Sequence, residues 1–199
     1  MQNVEFKAEL RDENLARAIA GAIGVKPVIS LRMRDTYFRV VTGRLKRREA
    51  ASIDPSGTPE AEPVEVIRYE RDDRPQPKLS FFTIFTEAEA SERFGDTALP
   101  TWLIVEKTRD VMMFEQARVH FDTVDRLGKF IEFEVLVTPR HNVSRGHELI
   151  DMLRQKFAPA IGEPIAASYA DLLARDTENS PAGPAGPPGP DASSAGGRT

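Results

Sequence analysis

The 199-residue chain contains no cysteine, which excludes disulfides, thiolate zinc sites and cysteine nucleophiles. It also lacks any long apolar run, at the N-terminus or elsewhere, so neither a signal peptide nor a membrane span is expected, and the default location is the cytoplasm. Basic charge is not in excess. The net charge is -4 with 29% charged residues, so bulk attraction to nucleic acid or to an anionic membrane is not expected, and basic groups matter only where they converge. Histidine is scarce, with three residues, and no Ser-His-Asp arrangement or Gly-rich phosphate loop is apparent.

What is present is alternation. Asn3, Glu5, Lys7 and Glu9 fall on one face of an opening strand, because side chains in a strand alternate with period two. Arg44, Lys46 and Arg48 share a face in the same way, as do Lys107 with Arg109, then Arg118, His120 and Asp122, and finally Glu132 with Glu134. The residues between them are mostly Leu, Val, Ile and Phe. An antiparallel sheet with one solvated face also reads apolar-in, polar-out, and alternation alone does not place the charged face inside a barrel. Yet Ser, Thr and Gln are nearly absent from these faces, and the charges are grouped by sign. Like charges two apart repel mildly, so the pattern points to a polyanion on the basic groups and cations on the acidic ones.

With 40% hydrophobic residues the chain supports one globular domain, expected over residues 1–176. Strands are predicted at about 2–10, 33–41, 43–51, 64–71, 78–85, 102–109, 111–121 and 130–138. Helices are predicted from the Asp12 cap to a Gly24 stop, from a Thr86/Glu89 capping box, after Ser144, and over about 167–175. Residues 52–63 and 72–77 read as loops. From Thr177 to Thr199 the chain is Pro/Gly/Ser-rich and too poor in apolar residues to offset ordering entropy, so a disordered tail is expected.

Several segments, taken together in this order, carry a family resemblance. They are Asn3-x-Glu5-x-Lys7, Asp35-Thr36-Tyr37-Phe38, the basic run Gly43 to Glu49, Tyr69-Glu70-Arg71, Lys107-Thr108-Arg109, Arg118 to Asp122, Leu127 to Glu134, and Ser168 to Leu173. The chain resembles the CYTH superfamily, the triphosphate tunnel metalloenzymes, and within it the class IV adenylyl cyclase-like branch. The resemblance implies an α+β fold: a closed eight-stranded antiparallel barrel with a polar interior and helices packed outside. It implies a small-molecule triphosphate substrate gripped by Lys7, Arg44, Lys46, Arg48, Arg71, Lys107, Arg109 and Arg118, with Lys7, Lys107 and Arg109 nearest the chemistry. It implies Mg2+ or Mn2+ held by Glu5, Asp122, Glu132 and Glu134. His120 shares the parity of Arg118 and Asp122, as a phosphate contact or as a packed barrel histidine.

Two positions depart from the family pattern. Asn3 stands where the family has a glutamate; its amide oxygen still suits a hard cation but lacks the charge, which implies weaker hold on one metal ion. Met33 stands where related cyclase-like sequences often have glutamine. The implied reaction is conversion of ATP to cyclic AMP and pyrophosphate. Hydrolysis of inorganic tripolyphosphate, thiamine triphosphate or a nucleotide is the alternative, and a non-catalytic phosphate-binding role is a third. A homodimer is left open, and partnership with nucleic acid or membrane is not expected.

Overall fold

The first strand, β1 (Gln2–Leu10), is hydrogen-bonded on both edges, and from it a ring closes. The computed structural model describes residues 1–53, 59–95 and 99–179. In chain order the remaining elements are α1 (Glu13–Ile23), β2 (Lys26–Phe38), β3 (Arg44–Ile53), β4 (Pro59–Ala61), β5 (Glu65–Arg71), β6 (Lys78–Phe85), α2 (Glu87–Phe94), β7 (Thr101–Phe114), β8 (Ala117–Val124), β9 (Gly128–Leu136), α3 (Val143–Phe157), β10 (Ile161–Pro164) and α4 (Tyr169–Asn179). The ring order is β1-β6-β5-β3-β2-β7-β8-β9, with β9 pairing back to β1 from Asn3↔Leu136 to Glu9↔Phe130. This is a closed eight-stranded antiparallel barrel, as the resemblance implied, and closure leaves its walls without unpaired edges. β4 adds to β3, and β10 pairs with the stretch of β1 that β6 leaves free.

The apolar half of the alternation faces outward. Val4, Phe6, Ala8, Val119, Phe121, Ile131 and Phe133 pack beneath α1 and α3, against Ala16, Ala20, Ile150, Leu153 and Phe157. The principal hydrophobic core therefore lies between the barrel wall and its helices, and the interior is left to the polar half. Close approach of α3 depends on Gly146, where an added Cβ would come within 2.9 Å of Val4 Cγ2. A second cluster, with Val105, Val124, Phe130, Tyr169 and Leu173, packs α4 against β7, β8 and β9, and a third lies under α2.

The helix signals in the sequence hold. Asp12 caps α1 by accepting from Leu15 N at 2.9 Å, Gly24 ends it at φ 84°, and both bonds of the Thr86/Glu89 capping box are present. α3 starts one residue before Ser144, capped by Asn142, and α4 runs past the expected end at 175.

Several strand boundaries differ from expectation. β2 begins at Lys26, not 33, with Pro27 accommodated beside a register shift. The predicted strands 102–109 and 111–121 are replaced by β7 running through to Phe114 and a reversal at Glu115 and Gln116. Asp110 does not end the strand because its carboxylate is occupied there, accepting from Arg17 Nη2 at 2.5 Å and from Ser30 Oγ at 2.7 Å. β4 and β10 were not foreseen; β4 falls within the predicted loop 52–63, of which residues 54–58 lie outside the described residues. The expected tail from residue 180 onward also lies outside them. Among the described residues no helix is long and apolar enough to cross a membrane.

Candidate functional site: a charged tunnel

Inside the barrel lies a cavity of about 290 Å³. Its walls take Asn3, Glu5 and Lys7 from β1, Lys46 and Arg48 from β3, Arg71 from β5, Lys107 and Arg109 from β7, Arg118 and His120 from β8, and Glu132 and Glu134 from β9. The period-two faces read from the sequence thus converge on one space. Arg44 stands apart at the rim near α4, its Nη2 donating to Asp73 Oδ2 at 2.7 Å and to Asp171 Oδ2 at 2.8 Å.

Two internal carboxylates organise the cations. Asp35, inward on β2 and 2% exposed, accepts from Lys46 Nζ at 2.8 Å and from Arg48 Nε at 2.8 Å. Burial opposes its ionisation, but the Arg48 and Lys46 charges outweigh that and hold the carboxyl well below its usual range. Asp122 accepts a two-point contact from Arg109 at 2.6 Å on each oxygen, with Lys107 Nζ at 3.2 Å and the Tyr169 hydroxyl at 2.8 Å also on Oδ2. Burial again opposes the charge, and Arg109 with Lys107 again prevails, leaving Asp122 ionised. The lysines are affected in turn. Burial, helped by Arg48, pushes Lys46 down to about 7, and burial, helped by Arg109, pushes Lys107 down to about 8.

The acidic residues divide into two kinds. Glu5 is engaged by Arg71, yet burial and the neighbouring Glu132 and Glu134 charges raise its pKa. Glu132 and Glu134 meet His120, with one ligand atom of each residue within 4.8 Å of the others. His120 Nδ1 lies 3.8 Å from Glu132 Oε2 and 3.9 Å from Glu134 Oε1, and has no hydrogen-bond partner although buried. Burial and the Arg109 charge lower the imidazole pKa, which favours the neutral, ligand-ready form. Asn3 Oδ1 is likewise buried without a partner. A neutral imidazole and two carboxylates form a donor set that fits Mg2+ or Mn2+, and the orphaned amide oxygen belongs to a residue lining the same cavity. Lys7 Nζ, 3.5 Å from Glu132 Oε1, and Arg118 Nη2, 2.9 Å from Glu134 Oε2, flank it.

Three tunnel participants escaped the sequence reading. Asp35 shares the inward parity of Met33 and Tyr37, a signal that was available. Lys78 is buried with its Nζ donating to Arg74 O at 2.9 Å and Ala166 O at 3.0 Å, tying the 72–77 loop to the approach of α4; it shares parity with Ser80. Tyr169 reaches Asp122 across 47 residues and stacks beneath Lys7, whose Nζ is 3.9 Å from the ring centroid; nothing local in the sequence announces that.

No protein-family profile matches the sequence. No curated protein sequence matches it. Solved structures do match. The PH1012 protein from Pyrococcus horikoshii OT3 aligns at 15% identity and TM-score 0.62, covering 85% of this chain and 98% of its own. Two structures described as putative cyclases also align. The adenylate cyclase of that description from Vibrio parahaemolyticus is 16% identical with TM-score 0.60, over 86% of this chain and 97% of its own. HpAC1 from Hippeastrum, reported to have a dominant triphosphatase activity, is 11% identical with TM-score 0.54, over 87% and 96%. Likeness at such identities speaks to architecture alone: this chain shares the overall fold of these structures.

Proposed function

We propose that the tunnel binds a triphosphate with a divalent cation and processes it, as a class IV adenylyl cyclase-like enzyme that converts ATP to cyclic AMP and pyrophosphate. The observation that carries this reading is the convergence, in one cavity, of guanidinium and ammonium groups on β3, β5 and β7 with a pair of carboxylates on β9 and an imidazole nitrogen and an amide oxygen, on β8 and β1, that have no hydrogen-bond partner. Phosphoryl chemistry asks for positioning and charge neutralisation more than for covalent participation by the protein, and this cavity supplies both.

Lys7, Lys107 and Arg109 cluster around Glu132 and Asp122 and would take the phosphate oxygens, with Lys46, Arg48, Arg71 and Arg118 gripping the rest of the triphosphate. Glu132, Glu134, His120 and Asn3 would hold Mg2+ or Mn2+, which when bound neutralises phosphate charge and fixes the line of attack. In cyclisation the ribose 3′-oxygen bonds to the α-phosphorus as the bond to pyrophosphate breaks, so the ribose must be held in line and water kept out. A second reading, hydrolysis, in which water takes the place of the hydroxyl, is favoured by the dominant triphosphatase activity reported for HpAC1.

The test is Glu134→Gln with Mg2+ or Mn2+ titrated against ATP and tripolyphosphate, and the products separated by chromatography. The variant should keep its fold and lose metal-dependent turnover. A folded variant that turns over as fast as the parent across the titration would refute the metal-site assignment.

A further inference from the structure

The chain has three tyrosines, and all three line the cavity: Tyr37 on β2, Tyr69 on β5 and Tyr169 at the start of α4. Tyr169 alone comes from a helix. It is buried, its ring packs on Phe130 with centroids 5.0 Å apart, and Lys7 Nζ lies 3.9 Å and Lys107 Nζ 5.0 Å from the ring centroid. Its hydroxyl donates to Asp122 Oδ2 at 2.8 Å, the oxygen that Lys107 Nζ and Arg109 Nη2 also reach. One side chain thus touches two cavity lysines and an internal carboxylate. The start of α4 is itself held, by Arg44 Nη2 on Asp171 Oδ2 at 2.8 Å and by Lys78 Nζ on Ala166 O at 3.0 Å.

The two lysines are held loosely by their carboxylates. Lys46 shows the ordinary arrangement, with Nζ 2.8 Å from Asp35 Oδ2. Lys7 Nζ instead stays 3.5 Å from Glu132 Oε1, beyond hydrogen-bond range, and Lys107 Nζ stays 3.2 Å from Asp122 Oδ2, at its long end. A buried ammonium still needs its charge met. The face of an aromatic ring does that through its quadrupole and accepts no conventional hydrogen bond, so the three N–H donors remain free for another acceptor. The hydroxyl works in the same direction, since a further donor on Asp122 Oδ2 competes with Lys107 for that oxygen.

We infer that Tyr169 is a positioning residue: its ring holds the Lys7 ammonium, and to a lesser degree that of Lys107, off the internal carboxylates and ready for an incoming phosphate oxygen. The inference rests on the triphosphate reading above and adds to it a part played by α4. Plain packing in the cluster with Phe130 and Leu173 asks only for the shape of the ring, whereas positioning asks for its π electrons.

Fluorination separates the two, because it withdraws the negative face of a ring while nearly keeping its size. The full chain is prepared as Tyr169→Phe and with pentafluorophenylalanine at position 169, and binding of inorganic tripolyphosphate is measured by calorimetry in EDTA. The fluorinated chain should melt at the same temperature as Tyr169→Phe and bind tripolyphosphate about tenfold more weakly, the scale of a cation–π contact out of water. In a Lys7→Met background most of that difference should vanish, since the ring then has lost its nearer cation. Equal affinity of the Phe and pentafluorophenyl chains would make Tyr169 a packing residue and overturn the inference, as would a fluorination loss that persists in full without Lys7. A graded series from one fluorine to five keeps the comparison available where full substitution disturbs folding. Failure of the parent to bind tripolyphosphate at all would instead sink the triphosphate reading, and this inference with it.

Discussion

Replacing Asp122 by asparagine separates the internal counter-ion role of this residue from a direct one in metal binding. Asp122 is fully buried and neutralises Arg109 through two bonds of 2.6 Å and Lys107 at 3.2 Å, while Tyr169 donates to it at 2.8 Å. Asn keeps the volume and one acceptor but removes the charge. Arg109 retains Glu132 at 2.5 Å, whereas Lys107 is left with no carboxylate among the described contacts. Breaking a buried pair by removing one partner costs about 3–5 kcal/mol, which for a domain of this size lowers the melting temperature by about 10 °C. Excess tripolyphosphate should return much of that, because the ligand supplies the missing anion; at a hundredfold over Kd the linkage is worth about 2.7 kcal/mol. The stabilisation by ligand should exceed that of the parent, in which the phosphate must compete with Asp122. Since Asp122 is held below its ordinary range, its contribution is present above the unfolded pKa and lost as pH falls through the folded one. The gap between parent and variant should therefore be full near neutrality and shrink below about pH 4. Melting followed by circular dichroism with and without tripolyphosphate reads all of this. A variant as stable as the parent at pH 7, or one that the anion does not rescue, refutes the counter-ion argument.

Lys46, pushed down to about 7 by burial, should make affinity for triphosphate fall as pH rises above 7, where the ligand is fully ionised and the lysine is losing its proton; calorimetry in buffers of different ionisation enthalpy should show proton uptake on binding, absent in Lys46→Met. For the empty protein the sign reverses: with a folded pKa below the unfolded value, Lys46 makes stability rise with pH from about 7 to about 10, a slope that Lys46→Met should flatten. Asn3→Glu should lower the Mg2+ concentration for half-maximal activity by about tenfold, or about 1.4 kcal/mol, and destabilise the metal-free protein by putting a buried charge where the amide oxygen already lacks a partner; unchanged metal dependence in a folded variant would place residue 3 outside the metal shell.

The barrel faces were legible because a strand has only two of them. Once Asn3, Glu5 and Lys7 share a parity they must share a side, and each later set followed the same rule into the cavity. Which set meets which was not legible from parity. Arg109 and Asp122 are direct neighbours across the β7–β8 pairing, but seeing that requires the reversal to lie at Glu115. Glu115 adopts φ 50°, a conformation that glycine or asparagine usually signals, and a glutamate there gives no such sign. The sequence reading consequently broke the strand between 109 and 111, at Asp110, whose partners Arg17 and Ser30 are far away in the chain. Tyr169 and Lys78 failed for a related reason. Tyr169 reaches Asp122, and Lys78 reaches Ala166 O, across 47 and 88 residues, and those contacts depend on tertiary placement, not on local pattern.

Charge balance ties these features together. Seven Lys and Arg side chains line the cavity against four lining carboxylates, and Asp35 and Asp122 behind them raise the acidic count to six. The empty tunnel is thus close to neutral, which is what allows a barrel to enclose so many ionised groups at all, since unpaired charges at such depth would cost several kcal/mol each. Near-neutrality has a consequence for binding. A triphosphate entering this space finds its cations already spoken for, so its own charge must be met by displacing Asp35 and Asp122 from the basic groups or by arriving with a divalent ion. The second route is the less costly one, because it leaves the Arg48–Asp35 and Arg109–Asp122 contacts in place. A glutamate at position 3 would bring the balance to zero and make the cation more necessary still. The natural Asn3 leaves one positive charge uncompensated, a residue of attraction for polyanions that Asn3→Glu would exchange for a tighter hold on metal.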